Sequence, residues 1–232
     1  MEKFIKTNYP DAEDGTLFTN RMVGLLEKEH DFDLGKTLLA TSVCSDEIIR
    51  SATQFRNHLA SKNPFQLGGL AGFPFSGITG LKAFGSHIPD DGSAVILYGP
   101  HIGVSGTGEV GWMKRVGQQK QSTCCGALKA TLSNFKSEDY PEPDQELDYQ
   151  LWKIHQQLDS VRESVLGHSE PLVAVTDSMF EKINERMKVL IEHFEPVRGA
   201  RRIALIGGIV INTDFNLPDW FELRHFEVVG DS

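Results

Sequence analysis

Cysteine is scarce in this chain. Of 232 residues only Cys44, Cys124 and Cys125 are cysteines, and an odd number this small argues against a disulfide framework. There is no Cys-x-x-Cys pair, so a thiol redox protein built on Cys124-Cys125 is disfavoured. Positive charge is also short: 23 Lys and Arg stand against 32 Asp and Glu, for a formal net charge of −9. A nucleic-acid surface wants the opposite balance, and no basic cluster restores it. No apolar run approaches the ~20 residues of a membrane span, and residues 1–7 hold no apolar signal core. Internal repeats and low-complexity linkers are missing as well. These absences lead us to expect a cytoplasmic protein with reduced thiols that binds neither nucleic acid nor membrane.

What is present suits a folded domain. Hydrophobic residues make up 40% and charged residues 24% of the chain, enough for a sizeable core. We expect one domain over 1–232, with a helical arm at 1–36 and the core at 37–232. The spacing of Phe18, Met22, Leu25 and Leu26 predicts a helix over 14–30, with Asp14 or Thr16 as its cap. Residues 37–43 and 94–98 read as buried strands. Between them, Ile48, Ile49, Ala52, Phe55 and Leu59 predict a helix over 46–62. The glycine-rich stretch 67–80 reads as a long loop with special backbone needs.

Further on, a helix begins near Cys125-Gly126. The steps from Leu147 through Leu151, Ile154, Leu158 and Val161 to Val165 predict one long helix, with Asp144 as a possible cap. Phe180, Ile183, Met187, Leu190, Ile191 and Phe194 predict another. Residues 202–212 read as a central strand and 220–229 as a final one. Strands alternating with helices imply an α/β fold with a mainly parallel central sheet flanked by helices. In such sheets ligands gather beyond the carboxyl ends of the strands, where Cys44 and His101 both fall.

Two thiolates and an imidazole make a good ligand set for zinc, and a catalytic site needs three protein ligands plus water. Cys44, His101 and one of the paired cysteines would supply them. No short zinc-finger spacing supports the set, and the alternative is a pair of buried free cysteines with a histidine capping a loop. Cys125 is the better ligand of the pair because it touches the Gly126-Ala127 helix start. Cys124 then points into packing. Cys44-Ser45-Asp46-Glu47 reads as a helix start, where a thiolate is favoured. Asp46 and Arg50 lie at i and i+4 on one face of that predicted helix. A carboxylate held by an arginine beside a metal would orient the metal's water. The plain alternative is a surface ion pair of little worth.

At these residues the chain resembles a known family. The segments Ala40-Thr41-Ser42-Val43-Cys44-Ser45-Asp46-Glu47, Gly68-Gly69-Leu70-Ala71-Gly72-Phe73-Pro74-Phe75, His87-Ile88-Pro89-Asp90-Asp91-Gly92, Gly99-Pro100-His101-Ile102-Gly103 and Cys124-Cys125-Gly126-Ala127 are similar to the limiting-CO2-inducible protein B family. The resemblance is dense over about 37–130 and implies a β-carbonic-anhydrase-like fold with a Cys-His-Cys zinc site at Cys44, His101 and Cys125. It also implies an aspartate–arginine dyad. Asp46 matches the aspartate, but the arginine's usual place, two residues on, is occupied by Ile48, so Arg50 is the nearest substitute.

The implied activity is that of a carbonic anhydrase, a lyase that reversibly hydrates CO2 to bicarbonate with zinc-bound hydroxide. Two thiolates cancel the charge of the metal, so activity should rise toward alkaline pH. Phe73 and Phe75 would wall the CO2 pocket, although ordinary core filling accounts for at least one of them. His87 could shuttle protons or serve structure. The Gly68–Gly80 run lacks the Gly-Lys-Ser/Thr ending of a phosphate-binding loop. Relatives of the β class suggest a homodimer. The competing functions are a catalytically silent zinc protein in inorganic-carbon handling and a hydrolase of a related small molecule such as carbonyl sulfide.

Overall fold

The apolar runs of the sequence become the sheet, and the amphipathic segments cover it. A computed structural model describes residues 1–194 and 202–230. The strands are β1 (Glu13–Asp14), β2 (Thr37–Ser42), β3 (Phe65–Gln66), β4 (Ser93–Tyr98), β5 (His101–Gly103), β6 (Trp112–Met113), β7 (Ser122–Thr123), β8 (Arg202–Asn212) and β9 (Trp220–Gly230). The helices are α1 (Glu2–Asn8), α2 (Gly15–Glu29), α3 (Ser51–Arg56), α4 (Gly77–His87), α5 (Gly126–Lys136), α6 (Tyr149–Leu158), α7 (Arg162–Leu166) and α8 (Pro171–Glu192). None of them is long and apolar enough to cross a membrane.

The central sheet runs in the order β1-β9-β8-β4-β2-β3. The pairs β2–β3, β2–β4, β4–β8 and β5–β8 are parallel, whereas β9 pairs antiparallel with β8 and with β1. The expected α/β architecture with a mainly parallel sheet is therefore present. β4 is buried along its whole length and β8 along all but its first residue, as strands covered on both faces must be. On one face Phe18 of α2 stacks on Phe221 of β9 at 4.1 Å. On the other, the Tyr98 ring at the end of β4 lies parallel to Phe180 of α8 at 6.5 Å.

The chain turns sharply between β4 and β5 because Gly99 lets it. Gly99 has φ +143°, and a Cβ there would lie 1.7 Å from the carbonyl oxygen of Gly208. That close approach lets β5 resume pairing with β8, with His101 beside Val210 and Gly103 beside Asn212.

Several sequence expectations change. The helix over 46–62 shrinks to α3, because the side chains of Asp46, Glu47 and Arg50 and the Ile48 carbonyl are held by Arg115, Asp219 and Asn212 outside the segment. The loop over 67–80 ends early, and α4 begins at Gly77. The long helix of the second half is broken: Asp144 accepts from the backbone of Glu146 and Leu147, closing a separate turn before α6. Leu147 is left 89% exposed, and a 3-10 turn at Asp159–Val161 separates α6 from α7. The cap at Asp14 is as expected, accepting from the amides of Thr16 and Leu17.

Candidate metal centre

Cys44 sits two residues past the end of β2, His101 opens β5, and Cys125 is the residue before α5. Their ligand atoms all lie within 4.8 Å of one another. The Sγ atoms of Cys44 and Cys125 are 3.9 Å apart, and all three residues are buried. The sequence thus chose a set that the fold brings together, from segments 81 residues apart in the case of the two thiols.

The imidazole shows which of its atoms faces the thiols. His101 Nδ1 lies 2.8 Å from Asn212 Oδ1. Asn212 Nδ2 donates to the carbonyl of Ile48 at 3.2 Å and to Asp219 Oδ2 at 3.1 Å, so the oxygen of that amide is the one turned to the ring. Nδ1 therefore carries the proton. His101 Nε2 is buried with no hydrogen-bond partner, an expensive state for a nitrogen in a dry interior. A metal relieves it. Two sulfurs and one imidazole nitrogen are the donor set of zinc, and the free Nε2 is the observation that makes the fit. Without metal, burial disfavours a charged ring, but the sulfurs of Cys124 and Cys44 outweigh it and hold the His101 pKa above its ordinary value. Zinc would displace that proton. Cys44 titrates above the ordinary thiol range, pushed up first by its neighbour Cys125 and then by burial.

Cys124 is fully buried and lies on the far side of the ring, with Sγ 3.5 Å from His101 Nδ1. It packs tightly: a Cβ on Gly103 would meet the Cys124 side chain at 2.7 Å. Asp46, His101 and Cys124 form a second group of close ligand atoms that shares the histidine. The Nδ1 side of the ring is already taken by Asn212, which favours the Cys44 set.

Asp46 and Arg50 do not form the expected pair. The segment carrying them is not helical, so i to i+4 spacing does not bring them together. Arg50 instead grips Asp219, from Nε at 2.8 Å and Nη2 at 2.6 Å. The arginine on Asp46 is Arg115, with Nη2 2.7 Å from Asp46 Oδ2 and Nε 2.9 Å from Glu47 Oε1. Its Nη1 donates to Ser122 Oγ and to the Thr123 carbonyl. Arg115 therefore ties the Cys44 segment to the Cys125 segment. Burial and the neighbouring Glu47 raise the carboxyl pKa of Asp46, against the pull of His101 and Arg115.

A cavity of about 390 Å³ opens beside this pair, lined by Glu47, Ile48, Arg50, Met113, Arg115 and Phe215 among others. Phe73 and Phe75 line no part of it. They pack on each other edge to face at 5.1 Å, and Phe73 is buried in the core. The apolar wall comes instead from Ile48, Met113, Val116 and Phe215. His87 is exposed at the end of α4 against Phe65. From there the chain enters the amino end of β4, roughly 20 Å of strand before the end that leads to His101. The structure does not bring His87 to the thiols.

The residues that sequence reasoning missed are Arg115, Asn212 and Asp219. Asn212 left a faint signal, as the one polar side chain closing a long apolar strand. Arg115 left none, since it stands in a polar stretch without periodicity.

A family model described as limiting-CO2-inducible proteins B/C, β-carbonic anhydrases, matches residues 17–230. The chain belongs to the limiting-CO2-inducible protein B/C family. Among solved structures it is similar to PtLCIB4, a homolog of the limiting CO2-inducible protein LCIB. The two share 31% identity over 99% of this chain and 96% of that one, with a TM-score of 0.89. The structure of LCIB itself is similar in fold, with a TM-score of 0.74 at 24% identity over 97% of this chain and 92% of that one. No curated protein sequence matches the chain. Cys44 and His101 follow the carboxyl ends of the parallel strands β2 and β4, and Cys125 reaches them from the start of α5.

Proposed function

We propose that the chain is a zinc-dependent carbonic anhydrase that reversibly hydrates CO2 to bicarbonate. The carrying observation is the buried, unpartnered Nε2 of His101 on a ring grouped within 4.8 Å of the Cys44 and Cys125 thiols, with an arginine-held carboxylate at Asp46. Cys44, His101 and Cys125 would hold the metal. Zinc there would acidify water and supply hydroxide, increasingly so toward alkaline pH because the two thiolates cancel the metal's charge. Asp46, when ionised, only accepts hydrogen bonds. Held by Arg115, it would serve as a fixed acceptor that orients a hydroxyl group at the metal. Ile48, Met113, Val116 and Phe215 offer an apolar surface suited to a small molecule without charge. Membership of the family and the donor set support this reading.

The proposal includes a homodimer in the cytoplasm. Val116 and Phe215, at the edge of the cavity, are 80% and 45% exposed, an apolar surface that a second copy would cover. Analytical ultracentrifugation of the full chain tests it.

A second reading is a silent zinc protein in inorganic-carbon handling. It is favoured by one observation: the cavity is lined by Arg115 but by none of Cys44, His101 and Cys125. Metal analysis with stopped-flow CO2 hydration, on the wild type and on Cys125→Ala, separates the two. Zinc with hydration that Cys125→Ala abolishes is the expected result. Zinc without hydration supports the silent reading, and an unstripped preparation free of metal overturns both.

A further inference from the structure

We propose that Asn212, Asp219 and Arg50 form a positioning relay that fixes the metal-facing state of His101 and the place of the Cys44 segment. The proposal rests on the metal reading of the thiol cluster. It begins in the register of the sheet. His101 pairs with Val210, and Asn212 lies two residues further along β8, so both side chains leave the same face within reach of each other.

Asn212 is completely buried, and each of its amide atoms has an assigned partner. Turning the amide over would set its oxygen against the Ile48 carbonyl and the Asp219 carboxylate, and its NH2 against the ring N–H. The side chain therefore has one orientation, and in it His101 presents Nδ1–H to Asn212 and the Nε2 lone pair to the thiols. The same amide holds the carbonyl of Ile48, in the loop that carries Cys44. One side chain thus ties two ligand-bearing segments together.

Asp219 in turn fixes Asn212. Its Oδ2 accepts from Asn212 Nδ2 and Arg50 Nε, and its Oδ1 accepts from Arg50 Nη2 and the Thr213 amide at 3.1 Å. Four donors saturate a carboxylate that is 7% exposed, and the fork of Arg50 compensates its charge. Arg50 also donates to the Leu217 carbonyl at 3.1 Å and lines the cavity. The order of contact is Arg50, Asp219, Asn212, His101, ending at the metal ligand. The arginine that sequence reasoning placed on Asp46 bonds instead to Asp219, and reaches the histidine through Asn212.

The test is zinc affinity by chelator competition, with proton–nitrogen NMR of the His101 ring in the zinc-loaded full chain. In the wild type Nδ1 carries a proton protected from solvent exchange. Asn212→Leu should weaken zinc binding by about 10- to 100-fold, the usual cost of removing the partner of a ligating histidine, and should remove that protection. Arg50→Gln alters a side chain that reaches solvent and spares the core, so it should fold and lower affinity in the same direction by a smaller factor. Unchanged affinity and an unchanged Nδ1 proton in Asn212→Leu would overturn the relay, as would unchanged values in Arg50→Gln if Asn212→Leu fails to fold. A wild-type chain that binds no zinc would instead refute the metal reading.

Discussion

Arg115 and Asp46 form the ion pair that borders the thiol cluster, at 2.7 Å, and both side chains are largely buried. Arg115 also donates to Glu47, Ser122 and Thr123, so it cannot swing away without breaking contacts on two segments. Arg115→Gln is expected to lower CO2 hydration by about 10- to 100-fold while zinc stays bound, because the carboxylate loses its holder and no ligand is touched. Stopped-flow rates at saturating zinc measure this. Arg50→Gln should differ in kind, since its effect runs through zinc affinity and is recovered by excess zinc. If excess zinc restores the Arg115 variant and leaves the Arg50 variant impaired, the two assignments are reversed.

The three cysteines should separate by metal content. Cys44→Ala and Cys125→Ala each remove a ligand, and zinc should fall from about one per chain to well below it under mild chelation. Cys124→Ala should keep its zinc, because its sulfur sits on the Nδ1 side of His101. Elemental analysis of the dialysed proteins decides the matter, and cobalt substitution adds a check through the thiolate charge-transfer band. Zinc retained in Cys44→Ala but lost in Cys124→Ala would move the metal to the group containing Asp46.

Much of this was legible in the sequence, for physical reasons. Strand runs such as 94–98 and 202–212 are long, apolar and buried on both faces, so local pattern alone reveals them. Of the three proposed ligands, Cys44 and His101 stand just beyond such runs, where a parallel sheet gathers functional groups, whereas Cys125 follows the short strand β7 and precedes α5. The dyad was misread because helical spacing was carried back through residues 46–50. There Asp46, Ile48 and Arg50 bond to Arg115, Asn212 and Asp219, and the backbone follows those long-range partners instead of its own propensity. No local signal could reveal a pairing between Arg115 and Asp46, 69 residues apart.

Two glycines should respond oppositely to alanine. At Gly99 the added Cβ would collide with the Gly208 backbone, in a turn whose φ of +143° alanine resists. Gly99→Ala should cost more than about 3 kcal/mol and yield little soluble protein. Gly24 lies inside α2, where an added Cβ meets nothing within 4 Å. Gly24→Ala should stabilise the chain by roughly 0.5–1 kcal/mol through helix propensity alone. Urea midpoints compare them. A Gly99→Ala protein as stable as the wild type would show that the sharp turn between β4 and β5 is not needed.

Glu222 gives a stability prediction far from the thiols. Its side chain is buried on β9, with Oε1 on Arg224 at 2.6 Å and Oε2 without a partner. Burial raises its carboxyl pKa above 4.5, and the charges of Asp177 and Asp11 add to this while Arg224 opposes it. A carboxyl raised on folding contributes its full stability below the unfolded value, where it is protonated in both states. That stability is lost as pH rises through the folded value, because only the folded chain pays to bury the charge. Glu222→Gln keeps the shape and cannot ionise. Its melting temperature relative to wild type should therefore climb between about pH 4 and pH 7. Asp177, also raised by burial, titrates in both proteins and largely cancels in the comparison. A difference that stays constant across that range would show that Glu222 is already paired or hydrated in the folded chain.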